Sequence, residues 1–182
     1  RQRQMCIRDS IGINMSYIGI MAAAGTPLII AGGLDLSVAA IAGLTGVLIT
    51  YAFGWFDNIW IAVIFSLIFG ILAGSLNGLL ATVLKFNPLI ATLGTMSIIT
   101  GVSLVLTGGL TRSMMLPEFN YIGVGRIFNV PLPLIIMLLF MIILWIMMSQ
   151  TKVGRFIYAS GNNPDASNLL GVPVVRLSLI HI

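Results

Sequence analysis

The sequence predicts an all-α membrane protein: a polytopic transmembrane helical bundle with about five spans present, truncated at both ends. Of its 182 residues 58% are apolar and only 8% are charged, with a mean hydropathy of +1.08. Soluble domains carry about 25% charged residues. The chain also contains five charge-free apolar stretches, each close to the ~20 residues that a helix needs to cross the hydrocarbon core.

The five stretches follow one another with short connections, except for a longer loop at 108–130. They are 11–31, 36–56, 59–84, 88–107 and 131–149. Each is too long for a transmembrane β-strand, and only helices and closed barrels satisfy their backbone polar groups in lipid. The lysines and arginines at the loop ends predict the orientation, because cytoplasmic loops are enriched in them. Lys85, Lys152, Arg155 and Arg176 fall on the side taken as cytoplasmic, against Arg112 and Arg126 outside.

Both ends of the chain resemble translated sequencing adapters. We therefore expect 1–10 to be a non-native leader and 177–182 a non-native tail, so that the chain is an internal piece of a longer protein. This leaves 11–149 as the transmembrane helices and 150–176 as a cytoplasmic loop. Cys6 and His181 then carry no function.

The cytoplasmic loop contains the signals of one compact helix. Asn163 fits the N-cap, Pro164 the first helical position and Asp165 the first turn, while Gly171 fits the C-terminal stop. The spacing i, i+3, i+4 predicts one short apolar face, made of Ala166, Leu169 and Leu170. A two-turn helix is marginal alone in water. Its face is expected to pack on something outside the membrane, the alternative being an unengaged surface loop.

Four sets of polar or small residues in or next to the spans are candidates for function. Asp35 and Ser37 follow two glycines, where they form either a capped turn at the membrane surface or an ionisable group on a polar passage. Gly70, Gly74 and Gly78 form GxxxGxxxG, which favours close helix packing.

The remaining candidates are an amide and a row of hydroxyls. Asn77 is either an interhelical hydrogen-bond donor or a substrate contact. Thr92, Thr95 and Thr100 share a broad helix face with Ser103 and Thr107. Such hydroxyls either bond within the bundle or line a pathway.

The sequence argues against an enzyme and against a nucleic-acid partner. It has no HExxH, GxSxG or P-loop motif, and Asp35 has no second carboxylate within the membrane with which to form a pair, so we predict no catalytic residue. A single cysteine excludes a cysteine-based metal site, and no metal site is predicted. The basic residues, which give a net charge of +4, are scattered at loop ends rather than clustered.

Four blocks of the sequence, which together cover about 11–176, carry a resemblance to a known family. They are GGLDLSVAAIAGLTG, GSLNGLLATVLKFNPLIATLGTMSIITGVSLVLTGG, PEFNYIGVGRIFNVPLPLIIM and TKVGRFIYASGNNPDASNLLGVPVVR. In content and order they resemble the permease subunits of bacterial ATP-binding-cassette importers for monosaccharides, of the ribose/xylose/galactose type, within the branched-chain amino acid/ribose permease superfamily. The chain departs from the family pattern at Ala39, Asn87 and Ser167, which weakens any inference about the sugar.

The resemblance implies a role for each part of the chain. Such permeases form a pair of copies in the bacterial inner membrane, are driven by a cytoplasmic ABC ATPase subunit that binds the ATP, and receive sugar from a periplasmic sugar-binding protein. No cofactor is then expected in this chain. The resemblance makes 163–171 the coupling helix that docks on the ATPase, and it makes 108–130 the contact for the binding protein.

Three other functions stay open at this point. Related permeases for another small solute, such as autoinducer-2 or a nucleoside, share these blocks. An ion-coupled secondary transporter would also use broken helices, but it needs coupling-ion ligands near the membrane midplane, where only Asp35 is on offer. A non-transporting membrane scaffold would explain the glycines and leave the capped polar helix without a purpose.

Overall fold

The computed structural model describes the backbone of residues 2–112 and 116–172, and the side chains in those ranges except at 2–7 and 117–118. Five of its helices are long and apolar enough to cross a membrane, which confirms the predicted polytopic helical membrane protein. In chain order the elements are α1 (Gln2–Ile30), α2 (Val38–Phe56), α3 (Ile59–Thr82), α4 (Pro88–Thr107), α5 (Pro117–Val124), β1 (Arg126–Ile127), β2 (Val130–Pro131), α6 (Leu132–Gln150), α7 (Lys152–Asn162) and α8 (Pro164–Leu169).

The long helices begin and end close to the predicted positions. The bounds of α2, α3, α4 and α6 lie within two residues of the charge-free stretches. The first helix differs more, because it begins at Gln2 and so includes the described residues of the segment expected to be a leader. The segment expected to be a tail, 177–182, lies outside the described residues, as does Arg176.

Two parts of the structure were not predicted. The loop between α4 and α6 contains α5 and a short β-hairpin, in which Phe128 and Asn129 form a two-residue turn with positive φ angles of 50° and 62°. Such turns match the twist of the paired strands. The polar segment contains α7 in addition to α8, because Val153, Phe156 and Ile157 repeat at helical spacing.

The chain divides into two compact units, of which the first holds residues 2–27 and 116–155. Within it α5 packs on α6, and the β-hairpin leads directly into α6. Tyr17 of α1 donates a hydrogen bond to the carbonyl of Gly123 at 3.2 Å. Arg126 lies 2.6 Å from the buried carboxylate of Asp9. Side-chain contacts therefore join α1 to α5 and to the hairpin.

The second unit holds residues 28–112 and 156–172 and contains the candidate functional residues. In it α2 packs on α3 and α4. The turn between α2 and α3 is closed locally, since Asp57 is left-handed and Asn58 Oδ1 accepts hydrogen bonds from the N–H groups of Trp60 and Ile61 at 3.0 and 3.3 Å. Most large apolar side chains of the long helices point outward, which suits a surface that meets lipid or other helices.

Candidate functional site

The break between α1 and α2 places three candidate side chains in one hydrogen-bonded network. Asp35 Oδ1 accepts from both the N–H and the hydroxyl of Ser37, each at 2.7 Å. Asn77 of α3, forty residues further along the chain, donates from Nδ2 to Ser37 Oγ at 2.7 Å. Ser37 and Asn77 are both completely buried. The network therefore joins the polar break to α3.

The chemistry of the network determines how the Asn77 amide points. Ser37 donates its hydroxyl proton to Asp35 Oδ1, so Ser37 Oγ can only accept a hydrogen bond from the amide nitrogen of Asn77. The amide oxygen then faces away from Ser37. In the part of the chain that the structure describes, Asn77 Oδ1 is buried and accepts no hydrogen bond. Leaving a buried polar atom without a partner costs about 1–3 kcal/mol of stability. Asn77 Oδ1 can therefore accept a stabilising hydrogen bond from one more donor.

The three threonine candidates of α4 donate within their own helix. Thr92 donates to the carbonyl of Pro88 at 2.8 Å, Thr95 to that of Thr92 at 3.1 Å, and Thr100 to that of Met96 at 2.7 Å. Thr92 is also completely buried. Their protons are therefore used, although each oxygen keeps accepting capacity.

A cavity of about 450 Å³ lies between α2 and α4, within the volume range of small-molecule sites. Of the six pathway candidates only Thr100 lines it, while Asp35, Ser37, Asn77, Thr92 and Thr95 do not. The lining residues are Ala39, Ala40, Gly43 and Val47 of α2 with Met96, Thr100, Ser103, Leu104 and Thr107 of α4. The sequence interpretation missed the α2 wall, although Ala39, Gly43 and Val47 repeat at the four-residue spacing of one helix face.

The glycines of α3 differ in their surroundings. A methyl group on Gly70 would lie 3.2 Å from Thr45 Cγ2 of α2, so this glycine permits a close approach of the two helices. Gly78 is buried and Gly74 is half-buried. The packing role of the full GxxxGxxxG motif stays a prediction.

The short helix α8 has the caps that its sequence indicates. Asn163 Oδ1 accepts from the N–H of Ala166 at 3.0 Å, Pro164 occupies the first turn with Asp165, and Gly171 takes a left-handed φ of 81°. Ser167 is buried, whereas the neighbouring Ala166 is exposed. Leu169 and Leu170 are 89% and 84% exposed. The helix therefore presents two bare leucines, with nothing in the described chain covering them.

A second contact of the polar segment was not expected from the sequence. A Cβ atom on Gly161, near the end of α7, would overlap the carbonyl oxygen of Ile30, at the end of α1. Only glycine allows backbones to approach this closely. The described residues contain no group of three histidine, cysteine, aspartate or glutamate side chains that could hold a metal ion.

The chain matches a known family over almost its whole length. The family described as "Branched-chain amino acid transport system / permease component" matches residues 8–182. The chain is 34% identical to the ribose import permease protein RbsC of Escherichia coli K12 over 91% of the chain and 53% of that protein. It is 37% identical to RbsC of Bacillus subtilis over 98% of the chain and 53% of that protein.

A further relative extends the range of sugars. The chain is 32% identical to the xylose/arabinose import permease protein XylH of Sulfolobus acidocaldarius, over 92% of the chain and 48% of that protein. The chain thus spans about half the length of the curated relatives it matches. No solved structure is detectably similar to it. Together with the five apolar helices, these relatives identify a multi-pass inner-membrane protein. The chain belongs to the family of branched-chain amino acid transport system permease components.

Proposed function

We propose that the chain is the membrane-spanning part of a permease subunit of an ATP-binding-cassette importer, which carries a monosaccharide such as ribose, xylose or galactose across the bacterial inner membrane. The energy comes from ATP bound by a separate ATPase subunit, and this chain catalyses no reaction of its own. The observation that carries the proposal is the exposed apolar face of α8 in a chain related to ribose and xylose/arabinose import permeases.

The exposed face of α8 suits an ATPase as its partner. A helix that lays an apolar face into a groove is a common way for proteins to recognise each other. Burying a leucine side chain contributes about 1.5–3 kcal/mol. Leu169 and Leu170 are nearly bare, while the caps at Asn163 and Gly171 hold the short helix in shape before any partner arrives.

The polar break and the cavity suit the passage of a sugar. A sugar hydroxyl both donates and accepts hydrogen bonds, and the hydroxyl oxygens of Thr100 and Ser103 line the cavity with accepting capacity left. Asp35 and Ser37 hold the beginning of α2 beside that cavity wall. A second copy of the permease would complete the passage, and a periplasmic sugar-binding protein would deliver the sugar to the loop between α4 and α6.

The test is the association of the permease with its ATPase after Leu169→Asp. The permease is expressed from its complete gene together with the ATPase, and the complex is captured in detergent through a tag on the ATPase. We expect the permease to be lost, because a charge replaces an apolar contact of about 2 kcal/mol, which corresponds to about 30-fold in affinity. Uptake of labelled ribose, xylose and galactose by vesicles should fall in parallel.

Leu110→Asp is the matched control, because Leu110 is also a highly exposed leucine but lies after α4 rather than on α8. This variant should retain the ATPase. If Leu169→Asp also retains it, α8 is not the docking element and the importer proposal loses its main support. Retained uptake without any ATPase would favour a secondary transporter instead.

A further inference from the structure

The carbonyl of Ile30, at the end of α1, is not reached by the cap of that helix. The N–H of Gly32 donates to the carbonyl of Ile29 at 3.0 Å, and the N–H of Gly33 donates to that of Leu28 at 2.9 Å. With Gly32 at a φ of 83°, this pair of bonds forms a Schellman motif. The motif satisfies Leu28 and Ile29, but it provides no donor for the carbonyl of Ile30.

The backbone of α7 lies against that carbonyl at Gly161. A Cβ atom on Gly161 would overlap Ile30 O, and it would lie 2.9 Å from Ile30 C and 3.3 Å from Cα of Ala31. All three neighbours are backbone atoms, so no side chain can rotate away to make room. The same part of α7 is firmly packed, since Ile157 and Ser160 are completely or almost completely buried.

The contact sits between the two features on which the proposed function depends. On one side, Gly161 is two residues before Asn163, the N-cap of α8. On the other side, Ile30 and Ala31 are followed at once by the Gly32–Gly33 turn and by Asp35, which the network ties to Asn77 of α3. A displacement of α8 thus reaches the polar break through one backbone contact.

We propose that Gly161 is the positioning residue that couples α8 to the polar break, and this inference rests on the proposed function. Its missing side chain lets α7 approach the carbonyl of Ile30 closely. When the ATPase moves α8, α7 then moves the end of α1, and with it the Asp35–Ser37–Asn77 network. Any side chain at position 161 would hold the two backbones apart and loosen this connection.

The first experiment replaces Gly161 with alanine in the permease assembled with its ATPase and binding protein in proteoliposomes. The rate of ATP hydrolysis is measured with and without the binding protein, and the ratio of the two rates is the stimulation. The binding protein carries whichever of ribose, xylose and galactose gives the fastest uptake. We expect the basal rate and the ATPase association to persist, and the stimulation to fall by about tenfold, within the usual range of coupling between sites. A merely structural role would lower the amount of complex and leave its stimulation unchanged.

Gly25→Ala is the matched control, because Gly25 is also helical and a Cβ there would meet nothing within 4 Å. It should keep full stimulation. If Gly161→Ala keeps at least half of the wild-type stimulation, the inference is wrong while the proposed function stands. Failure of the proposed function shows separately, as unchanged ATPase association in Leu169→Asp.

The second experiment remains decisive even if Gly161→Ala does not fold. Spin labels are attached to cysteines introduced at the exposed positions Leu34 and Asn162, in a complete permease whose own cysteines are replaced by serine. The distance between the two labels is measured by pulsed electron paramagnetic resonance in the nucleotide-free and ATP-bound complexes. We expect it to stay constant, because both labels move with the Gly161 contact. A change greater than about 5 Å, one helical turn, would overturn the inference.

Discussion

The break between α1 and α2 and the turn between α2 and α3 both involve an aspartate and an asparagine, but their hydrogen bonds differ. Each contains an aspartate just before a long helix, at Asp35 before α2 and at Asp57 before α3. At the second interruption the bonds are local, with Asn58 Oδ1 capping the first turn of α3. At the first, the carboxylate binds Ser37, and Ser37 accepts from Asn77 on another helix.

The difference distinguishes a connecting loop from a segment that can respond to movements of the helices. A locally capped turn satisfies its own backbone, so its stability does not depend on how the neighbouring helices are arranged. A break that is hydrogen-bonded to a distant helix is stable only while that helix stays in place. Its conformation therefore changes when the helices move relative to each other. The Asp35 break has this property, and the turn at Asp57 does not.

The sharpest test of the comparison replaces each aspartate with alanine. Asp35→Ala removes a charged acceptor of two hydrogen bonds, and we expect a loss of about 3 kcal/mol in the free energy of unfolding. Asp57→Ala should cost about 1 kcal/mol, because alanine tolerates the left-handed conformation less well. Both are measured by SDS unfolding in mixed micelles followed by circular dichroism. Equal losses would remove the distinction between the two interruptions.

A smaller effect is expected at the cap of α3. Asn58→Ala should cost about 1 kcal/mol, the usual value for a lost N-cap, and Asn58→Asp should restore most of it. The same unfolding assay checks both variants. Sugar uptake by the two variants should equal that of the wild type, since the bonds of Asn58 stay within the turn. Impaired uptake by Asn58→Ala at unchanged expression would mean that this turn is not merely local.

The smallest effect is the coupling between α2 and α3. A double-mutant cycle of Ser37→Ala and Asn77→Leu should give an interaction energy of about 0.6 kcal/mol, typical of interhelical hydrogen bonds in membranes. The cycle is needed because Asn77→Leu also removes the unpartnered amide oxygen, which offsets part of the loss. A coupling energy of zero would mean that the two side chains do not interact in the folded protein.

The sequence predicted the spanning helices well, since long charge-free runs with polar ends have only one solution in lipid. It also predicted the caps of α8, which depend on neighbouring residues alone. The bond from Asn77 to Ser37 could not be predicted, because forty residues separate the partners and the pattern of each helix is compatible with several rotations. The helix α7 and the hairpin were missed because they are short and lie within polar loops.

The hydroxyls of α4 also have a mechanical meaning. Each donates to a carbonyl one turn back that already serves the helix ladder, as the bonds of Thr92, Thr95, Ser97, Thr100, Ser103 and Thr107 show. Such shared carbonyls weaken the ladder slightly and let a helix bend. The α4 wall of the cavity is therefore a helix that bends more easily than one without such bonds, and it faces mostly small side chains on α2. A bend of α4 would therefore change the width of the cavity without breaking any helix.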